Sequence, residues 1–396
     1  MKILMLTPYL PYPLLSGGQI RTYNLLKELS GRHEITLFAL IKDHQEKKYI
    51  KDIQPFCQQV RVFKRSSKPF TAKNVLKTAI STYPFLVIRN LVPEAVSAVK
   101  AELNHTHYDL IHAETFYMMP HIPNTRTPIL LVEQTIEYLG YESYAKKIKQ
   151  PLRHLLEFDI NKIKRWEQFY WKKADKLITM SGKDQAYIQQ YLSKPEKVEV
   201  VFNGVDNDWF AQVPHKLSND PTVIYVGTFK WLPNVEAAKY LIKKVWPKIL
   251  QLQPNAQLKI VGNEPTDELK SYQEKSQNVQ VLGRVPDIRY AFKQAHVLLA
   301  PVFSGKGTRY KILESLASGT PVVATPTAVE GLNLKHNQHV LIGDSSQTLA
   351  NYVVNLFEDK KLWQKLSTNG KKFVKQHYDW QPIANKLDKI YQSMQD

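Results

Sequence analysis

Twice along this chain a short apolar run ends in a turn, gives way to a helical pattern and returns as another apolar run. That alternation restricts the fold more than any other feature. The first run is Lys2–Thr7, closed by a Pro-rich turn. Ser16-Gly17-Gly18-Gln19 follows, then Ile20, Tyr23, Leu25, Leu26 and Leu29 at helical spacing, then the apolar run Ile35–Ile41. Unbroken apolar runs mark strands buried on both faces, and strand–helix–strand order makes neighbouring strands parallel. Leu110–His112, Ile129–Glu133 and Leu177–Met180 extend the series. A second series starts near Thr222, with strands at Val223–Gly227, Leu258–Gly262, Val279–Leu282, Val297–Ala300 and Pro321–Ala324 and helices at Val235–Leu252 and Tyr310–Ser318. The expected class is α/β with two Rossmann-like domains, joined through the Asn-, Asp- and Pro-rich segment Asn203–Pro221.

Composition narrows the chemistry. At 396 residues the chain has room for two or three domains, and 43% hydrophobic with 23% charged residues excludes general disorder. No apolar run approaches the roughly 18 residues that span a bilayer. The start, broken at Pro8, has no small-residue cleavage site, so a cytoplasmic location is expected. Cys57 is the single cysteine, which excludes an intrachain disulfide. The net charge of +18 points to an anionic partner, without distinguishing nucleic acid, phosphorylated ligands or an anionic membrane. No helix-turn-helix, zinc-finger or RNA-binding aromatic pattern points to nucleic acid. Leu152, Leu155, Leu156, Ile163, Trp166, Phe169 and Tyr170 recur at three- and four-residue steps, and core packing is the expectation for that stripe.

The stretch 301–332 holds the densest chemistry. A strand ends at Pro301, a loop with Gly305 and Gly307 follows, and a helix starts near Thr308. Free N–H groups and the dipole at a helix start favour a phosphate. Lys306, Arg309 and Lys311 add positive charge at the same end. Glu314 lies about two turns further on, where a carboxylate would accept hydrogen bonds from the sugar hydroxyls of a bound nucleotide. A basic surface loop with a helix-surface glutamate accounts for the same residues.

With Glu314 followed by Ser315-Leu316-Ala317-Ser318-Gly319-Thr320-Pro321-Val322-Val323, the stretch resembles the donor-binding signature of GT-B-fold glycosyltransferases of family 4. That signature has two glutamates eight positions apart; Glu314 matches the second and Lys306 stands at the first. Gly307-Thr308-Arg309-Tyr310-Lys311-Ile312-Leu313-Glu314 is similar to the GTR-x-KILE version of a subgroup. Ser16-Gly17-Gly18 resembles the family's N-terminal glycine loop, and Asn203-Gly204-Val205-Asp206 with Phe210 its interdomain segment. Tyr225–Thr228 through Trp231–Asn234, Val281–Val285 with Asp287, and Tyr378-Asp379-Trp380 resemble further family elements. The resemblance implies two Rossmann-like domains facing each other across a cleft. Residues 1–203 would bind the acceptor, 204–376 the nucleotide-sugar donor, and 377–396 would form a helix returning to the first domain.

Site residues follow from the same resemblance. Gly17 and Gly18 let the backbone approach a diphosphate. Lys230, Arg284, Lys306, Gly307, Thr308, Arg309, Lys311 and Glu314 complete the donor set. His112, Lys230, Arg309 and Glu314 are the catalytic candidates, and Glu114, Gln134 and Glu137 the acceptor-side ones. Gln134 stands where the subgroup often has histidine. No metal is expected. Asp206-Asn207-Asp208 has metal-binding spacing but falls in a turn, and His105, His107 and His112 have no cysteines or paired ligand helix beside them. The nucleotide sugar is the only co-substrate implied, with no further cofactor.

The expected function is transfer of a sugar, with retention, from a nucleotide diphosphate sugar to a saccharide or lipid-linked acceptor. A nucleotide-sugar 2-epimerase of the same fold, and a catalytically silent GT-B subunit, are the alternatives. Lys42–Lys77 carries 10 basic and 3 acidic residues and Lys146–Lys176 carries 10 and 4, so most of the excess charge lies in the acceptor half. A diphosphate cannot use that much charge, and an anionic membrane surface is the partner expected there, with the protein peripheral on it.

Overall fold

The structure, a computed structural model, describes residues 1–68, 70–146, 148–304 and 310–395. It divides into two compact units: unit 1 is Met1–Asn203 with Trp380–Asp396, and unit 2 is Gly204–Asp379.

Unit 1 is built on seven strands: β1 (Lys2–Thr7), β2 (Glu34–Ile41), β3 (Gln59–Lys64), β4 (Leu110–Glu114), β5 (Ile129–Glu133), β6 (Lys176–Thr179) and β7 (Val198–Val200). They pair in parallel in the order β3-β2-β1-β4-β5-β6-β7. Ile3 lies opposite Ile35 on one side and Leu110 on the other, and β1 is buried from Ile3 onward. Helices α1 (Gly17–Leu29), α2 (Ala72–Ile80), α3 (Phe85–Asn90), α4 (Pro93–His105), α5 (Glu137–Ala145) and α6 (Leu152–Lys173) lie between the strands. The helix Trp380–Gln392 belongs to this unit, although it ends the chain. Asp388 holds it there, accepting from Arg32 Nη1 (2.8 Å) and contacting His33 Nε2 (3.0 Å).

Unit 2 has six parallel strands: β8 (Thr222–Val226), β9 (Gln257–Val261), β10 (Val279–Gly283), β11 (Val297–Ala300), β12 (Val322–Ala324) and β13 (Leu341–Ile342). Their order is β10-β9-β8-β11-β12-β13. In each sheet the strand order reverses direction once, between β1 and β4 and between β8 and β11. Connections part at such a point, and open parallel sheets bind ligands beyond the carboxyl ends of the strands there.

Three expectations need correction. The run Val235–Leu252 is two helices, Leu232–Tyr240 and Trp246–Leu252, joined by a π-turn at Leu241–Val245. Pro247 has no N–H and its ring would strike the carbonyl four residues back, so the wider turn relieves the helix there. The stripe on α6 is divided: Ile163 and Tyr170 are buried, whereas Leu152, Leu155 and Phe169 are exposed. Asn203–Pro221 is partly ordered, because Asp206 caps the helix Asn207–Ala211 and Asn207 donates to Asp379 (2.8 Å).

Close packing at the carboxyl edge of unit 2 depends on glycine. Gly262, at φ +143°, would place a Cβ 1.7 Å from the Gly227 carbonyl oxygen. A Gly262→Ala substitution should therefore destabilise the protein by roughly 2–4 kcal/mol, from strain and clash together. Urea unfolding that matched the wild type would contradict this close approach.

Candidate active site

At the switch point of unit 1, side chains from five segments form one hydrogen-bonded network. Ser16 caps α1, and Gly17 and Gly18 form its first turn. A Cβ on Gly18 would fall 2.5 Å from the Tyr9 hydroxyl and 2.7 Å from Gln134 Oε1, so only glycine allows these groups to meet. The Gln134 amide nitrogen donates to Tyr9 Oη (2.6 Å) and to Glu114 Oε2 (2.7 Å). Tyr9 Oη in turn contacts Thr22 Oγ1 (3.2 Å). Glu114 Oε1 faces His112 Nε2 (3.1 Å), and His112 Nδ1 faces Tyr391 Oη (2.6 Å) on the C-terminal helix.

Electrostatics assign the protons. Burial raises the Glu114 carboxyl, but its hydrogen bond to His112, the nearby His112 and Arg21 charges and the Gln134 amide outweigh it, so its pKa is lowered. Burial, and then the Glu114 charge, push the Tyr9 and Tyr391 phenols well above their ordinary value, so both remain protonated. With Glu114 ionised, His112 Nε2–H and Gln134 N–H both donate to it, and His112 Nδ1 pairs with the Tyr391 hydroxyl. Arg21 is buried on α1 and donates through Nη1 to the carbonyls of Val201 (3.1 Å) and Phe202 (2.8 Å) and to Asn203 Oδ1 (3.1 Å). Both nitrogens of His112 are engaged and the residue is 0% exposed, so it positions Glu114 and, through it, Gln134. Tyr9, Gly18 and Gln134 form the reachable face of the network.

Glu137 lies outside this network. Its backbone N–H donates to Glu167 Oε1 (2.8 Å), and its carboxyl, raised by burial against the pull of Arg89, has a pKa of about 7.

In unit 2, Lys230 is exposed in the turn after β8 and Arg284 is exposed just past Gly283, whose φ is +62°. Lys311 is buried: its ammonium donates to Asn234 Oδ1 (2.9 Å) and Tyr225 Oη (3.1 Å) and sits over the Tyr225 ring. The Tyr310–Ser318 helix ends at Gly319, whose φ of +78° turns the chain into β12. Glu314 is half-buried on that helix, and burial lifts its carboxyl to about 7 while Lys311 draws it down. Lys306, Gly307, Thr308 and Arg309 lie outside the described residues. Asp206-Asn207-Asp208 is the start of the helix Asn207–Ala211, and among the described residues no group of His, Cys, Asp and Glu is arranged to hold a metal ion.

Two family models match the chain. The one described as Glycosyltransferase Family 4 matches residues 15–209, and the one described as Glycosyl transferases group 1 matches 220–359. A curated relative, an uncharacterised 44.6 kDa protein in the cps region of Klebsiella pneumoniae, is 21% identical over 98% of this chain and 99% of its own length. A phosphatidyl-myo-inositol mannosyltransferase of Mycobacterium tuberculosis is 26% identical over 48% of this chain, and the match spans about half (53%) of that relative's length. Among solved structures, sucrose-phosphate synthase from Thermosynechococcus elongatus superposes with a TM-score of 0.70 at 19% identity, covering 100% of this chain and 99% of that one. HepE of Anabaena in complex with UDP and glucose gives 0.65 at 17%, covering 98% and 99%. These superpositions show that the two units form the GT-B fold.

A buried acid next to the network gives a pH test. Glu133 Oε1 accepts from Trp171 Nε1 (3.0 Å), and its Oε2 is buried without a partner. Burial and the neighbouring Glu167 charge raise its pKa well above the ordinary value. The folded state therefore binds a proton that the unfolded chain has released above the ordinary carboxylate range, and this cost to stability grows as pH rises towards the folded pKa. Glu133→Gln should stabilise the protein by an amount that increases from pH 5 to pH 8 in paired denaturation curves. A gain that shrinks with pH would contradict the protonated state.

Proposed function

We propose that this chain, built from two glycosyltransferase domains, moves a sugar from a nucleotide diphosphate sugar to an acceptor with retention at the anomeric carbon. Unit 2 takes the donor and unit 1 the acceptor. The observation that carries this reading is Glu314, half-buried with a pKa of about 7 on the helix that follows the β11 connection at the switch point of unit 2. An acid there accepts hydrogen bonds from the donor's sugar hydroxyls.

In this reading Lys230, Arg284 and Arg309 stabilise the departing diphosphate, and the loop Lys306-Gly307-Thr308 receives its phosphates. Lys311 orients the start of the helix from within unit 2 rather than touching the donor. The bond from the anomeric carbon to the diphosphate oxygen breaks, and a bond to the acceptor hydroxyl oxygen forms on the same face. The hydroxyl proton passes to the leaving phosphate oxygen. No metal or further cofactor takes part. Gln134, held by Glu114 and Tyr9, keeps its amide oxygen beside Gly18 on the reachable face of unit 1.

The acceptor is a lipid-linked or other cell-envelope saccharide. The relatives named for a cps region and for phosphatidyl-myo-inositol support this class. The surface of unit 1 supports it too. No residue of α2 is buried, and Val75, Leu76 and Ile80 on it are exposed, as is Phe70 just before it. Leu152, Leu155 and Phe158 on α6 are also exposed. Lys162 joins the two helices by donating to the carbonyls of Thr78 and Ser81 (both 2.7 Å). Lys73, Lys77, Lys149 and Arg153 are interleaved with these apolar groups, a composition that suits an anionic membrane surface.

Two measurements test the reading. In a thermal-shift panel of UDP-, GDP- and ADP-sugars, at least one should raise the melting temperature, and Glu314→Ala should abolish turnover without lowering the melting temperature of the free protein. No shift with any donor, or an active Glu314→Ala, would overturn it; donor turnover without acceptor would indicate an epimerase instead. Binding to vesicles containing anionic phospholipid should weaken with added salt and fall further in Leu155→Glu, since exposed charges are screened within about 8 Å at physiological ionic strength. Salt-independent binding would contradict the membrane assignment.

A further inference from the structure

Unit 1 contains a second polar neighbourhood that the Gln134 network does not use. Arg65 directly follows β3, its backbone N–H on the Ile41 carbonyl (2.9 Å), and Arg89 lies in the last turn of α3. Tyr117 stands in the turn Phe116–His121 after β4, against which α3 packs, and Glu137 opens α5 after β5. All four lie beyond the carboxyl edge of the sheet.

Both guanidinium groups are half-buried, and a buried one is ordinarily met by a carboxylate. Here carboxylates act on them only through their charge, Glu46 on Arg65 and Glu137 near Arg89. Among the described residues neither arginine makes an ion pair, and the Nε of each is buried without a hydrogen-bond partner. Burial and then the Arg89 charge lower the Arg65 pKa, so the two groups stand close enough to oppose each other. Both act on the Tyr117 phenol, which burial and the Glu137 charge raise. Arginine's planar fork of donors matches an oxyanion, and two forks supply the charge of a phosphate dianion.

We propose that Arg65 and Arg89 form a phosphate-binding subsite that holds the acceptor by an anionic group. The inference rests on reading unit 1 as the acceptor side. It explains why an opposed pair of cations is kept at a ligand-binding sheet edge: the phosphate relieves their repulsion and orients the acceptor. Glu137, raised to about 7 in the same neighbourhood, opposes a bound anion once it ionises.

The test is calorimetric titration of the full-length protein with inorganic phosphate and with glycerol phosphate, in saturating UDP to block any diphosphate site, with glucose as the neutral control. The wild type should bind both phosphates and not glucose. Arg65→Gln and Arg89→Gln should each weaken binding by about ten-fold or more, and Arg89→Lys by less. Removing one of two like charges should leave the free protein melting no lower than the wild type. Equal phosphate affinity in all variants, or no phosphate binding at all, would overturn the proposal. So would ligand-free Arg65→Gln melting several degrees lower, which would mean a structural pair. Phosphatidic acid diluted in phosphatidylcholine vesicles separates the sources: loss of vesicle binding in the variants assigns a lipid headgroup, and loss of glycerol phosphate alone a soluble phosphate. If the wild type fails to bind any nucleotide sugar while phosphate binding still depends on both arginines, the transferase reading fails and the subsite stands.

Discussion

Parallel strands cannot be joined by hairpins, so every connection in both units must cross a face of its sheet. In each sheet the crossings leave a central pair in opposite directions, from β1 and β4 in unit 1 and from β8 and β11 in unit 2. The space beyond those strand ends is where connecting loops diverge, and both candidate sites lie there. The glycine-started α1 lies beside the first opening, with Gly18 against Tyr9 and Gln134. In the second, Gly262 allows the ends of β8 and β9 to touch at Gly227.

The network in unit 1 shows how a buried carboxylate is kept charged. Desolvation alone would neutralise Glu114, at a cost that unpartnered buried charges rarely escape. His112, Gln134 and the Arg21 charge reverse it, and Tyr391 completes the pairing of His112 from the last helix of the chain. Gln134 is fixed as a result, with its amide nitrogen fully used and its oxygen beside Gly18. At Glu133 the opposite choice is made: burial and the charges of Glu167 and Glu137 outweigh its hydrogen bonds, and it keeps its proton.

The central strands were legible because parallel strands covered on both faces are written as unbroken apolar runs, as in Ile3–Leu6 or Leu298–Ala300. Of the edge strands only Val279–Gly283 was legible. Gln59–Lys64 mixes polar and apolar residues, and Val198–Val200 and Leu341–Ile342 are too short to stand out. His112 and Glu114 were legible at the end of a strand and Gln134 only through the family resemblance of its segment, although local sequence gave no sign that His112 would be sealed from solvent. Tyr9 carries the same strand-end signal. Tyr391 had no local signal, since its contact spans most of the chain. Arg21 did have one, a charge on the helix face shared with Leu25 and Leu29. The stripe on α6 reads as a single face, but Leu152 and Leu155 near its start are exposed while Leu156 packs on the core, and only tertiary packing decides that.

The most direct test of the account is hydrogen–deuterium exchange of the full-length protein with and without a nucleoside diphosphate. Backbone amides slow in exchange where a bound phosphate accepts from them. The account predicts added protection in the turn 227–231 after β8 and in the segment leading into the Tyr310–Ser318 helix, with little change at α2 and the first half of α6. Protection confined to unit 1, or none under saturating ligand, would contradict a donor site at the switch point of unit 2.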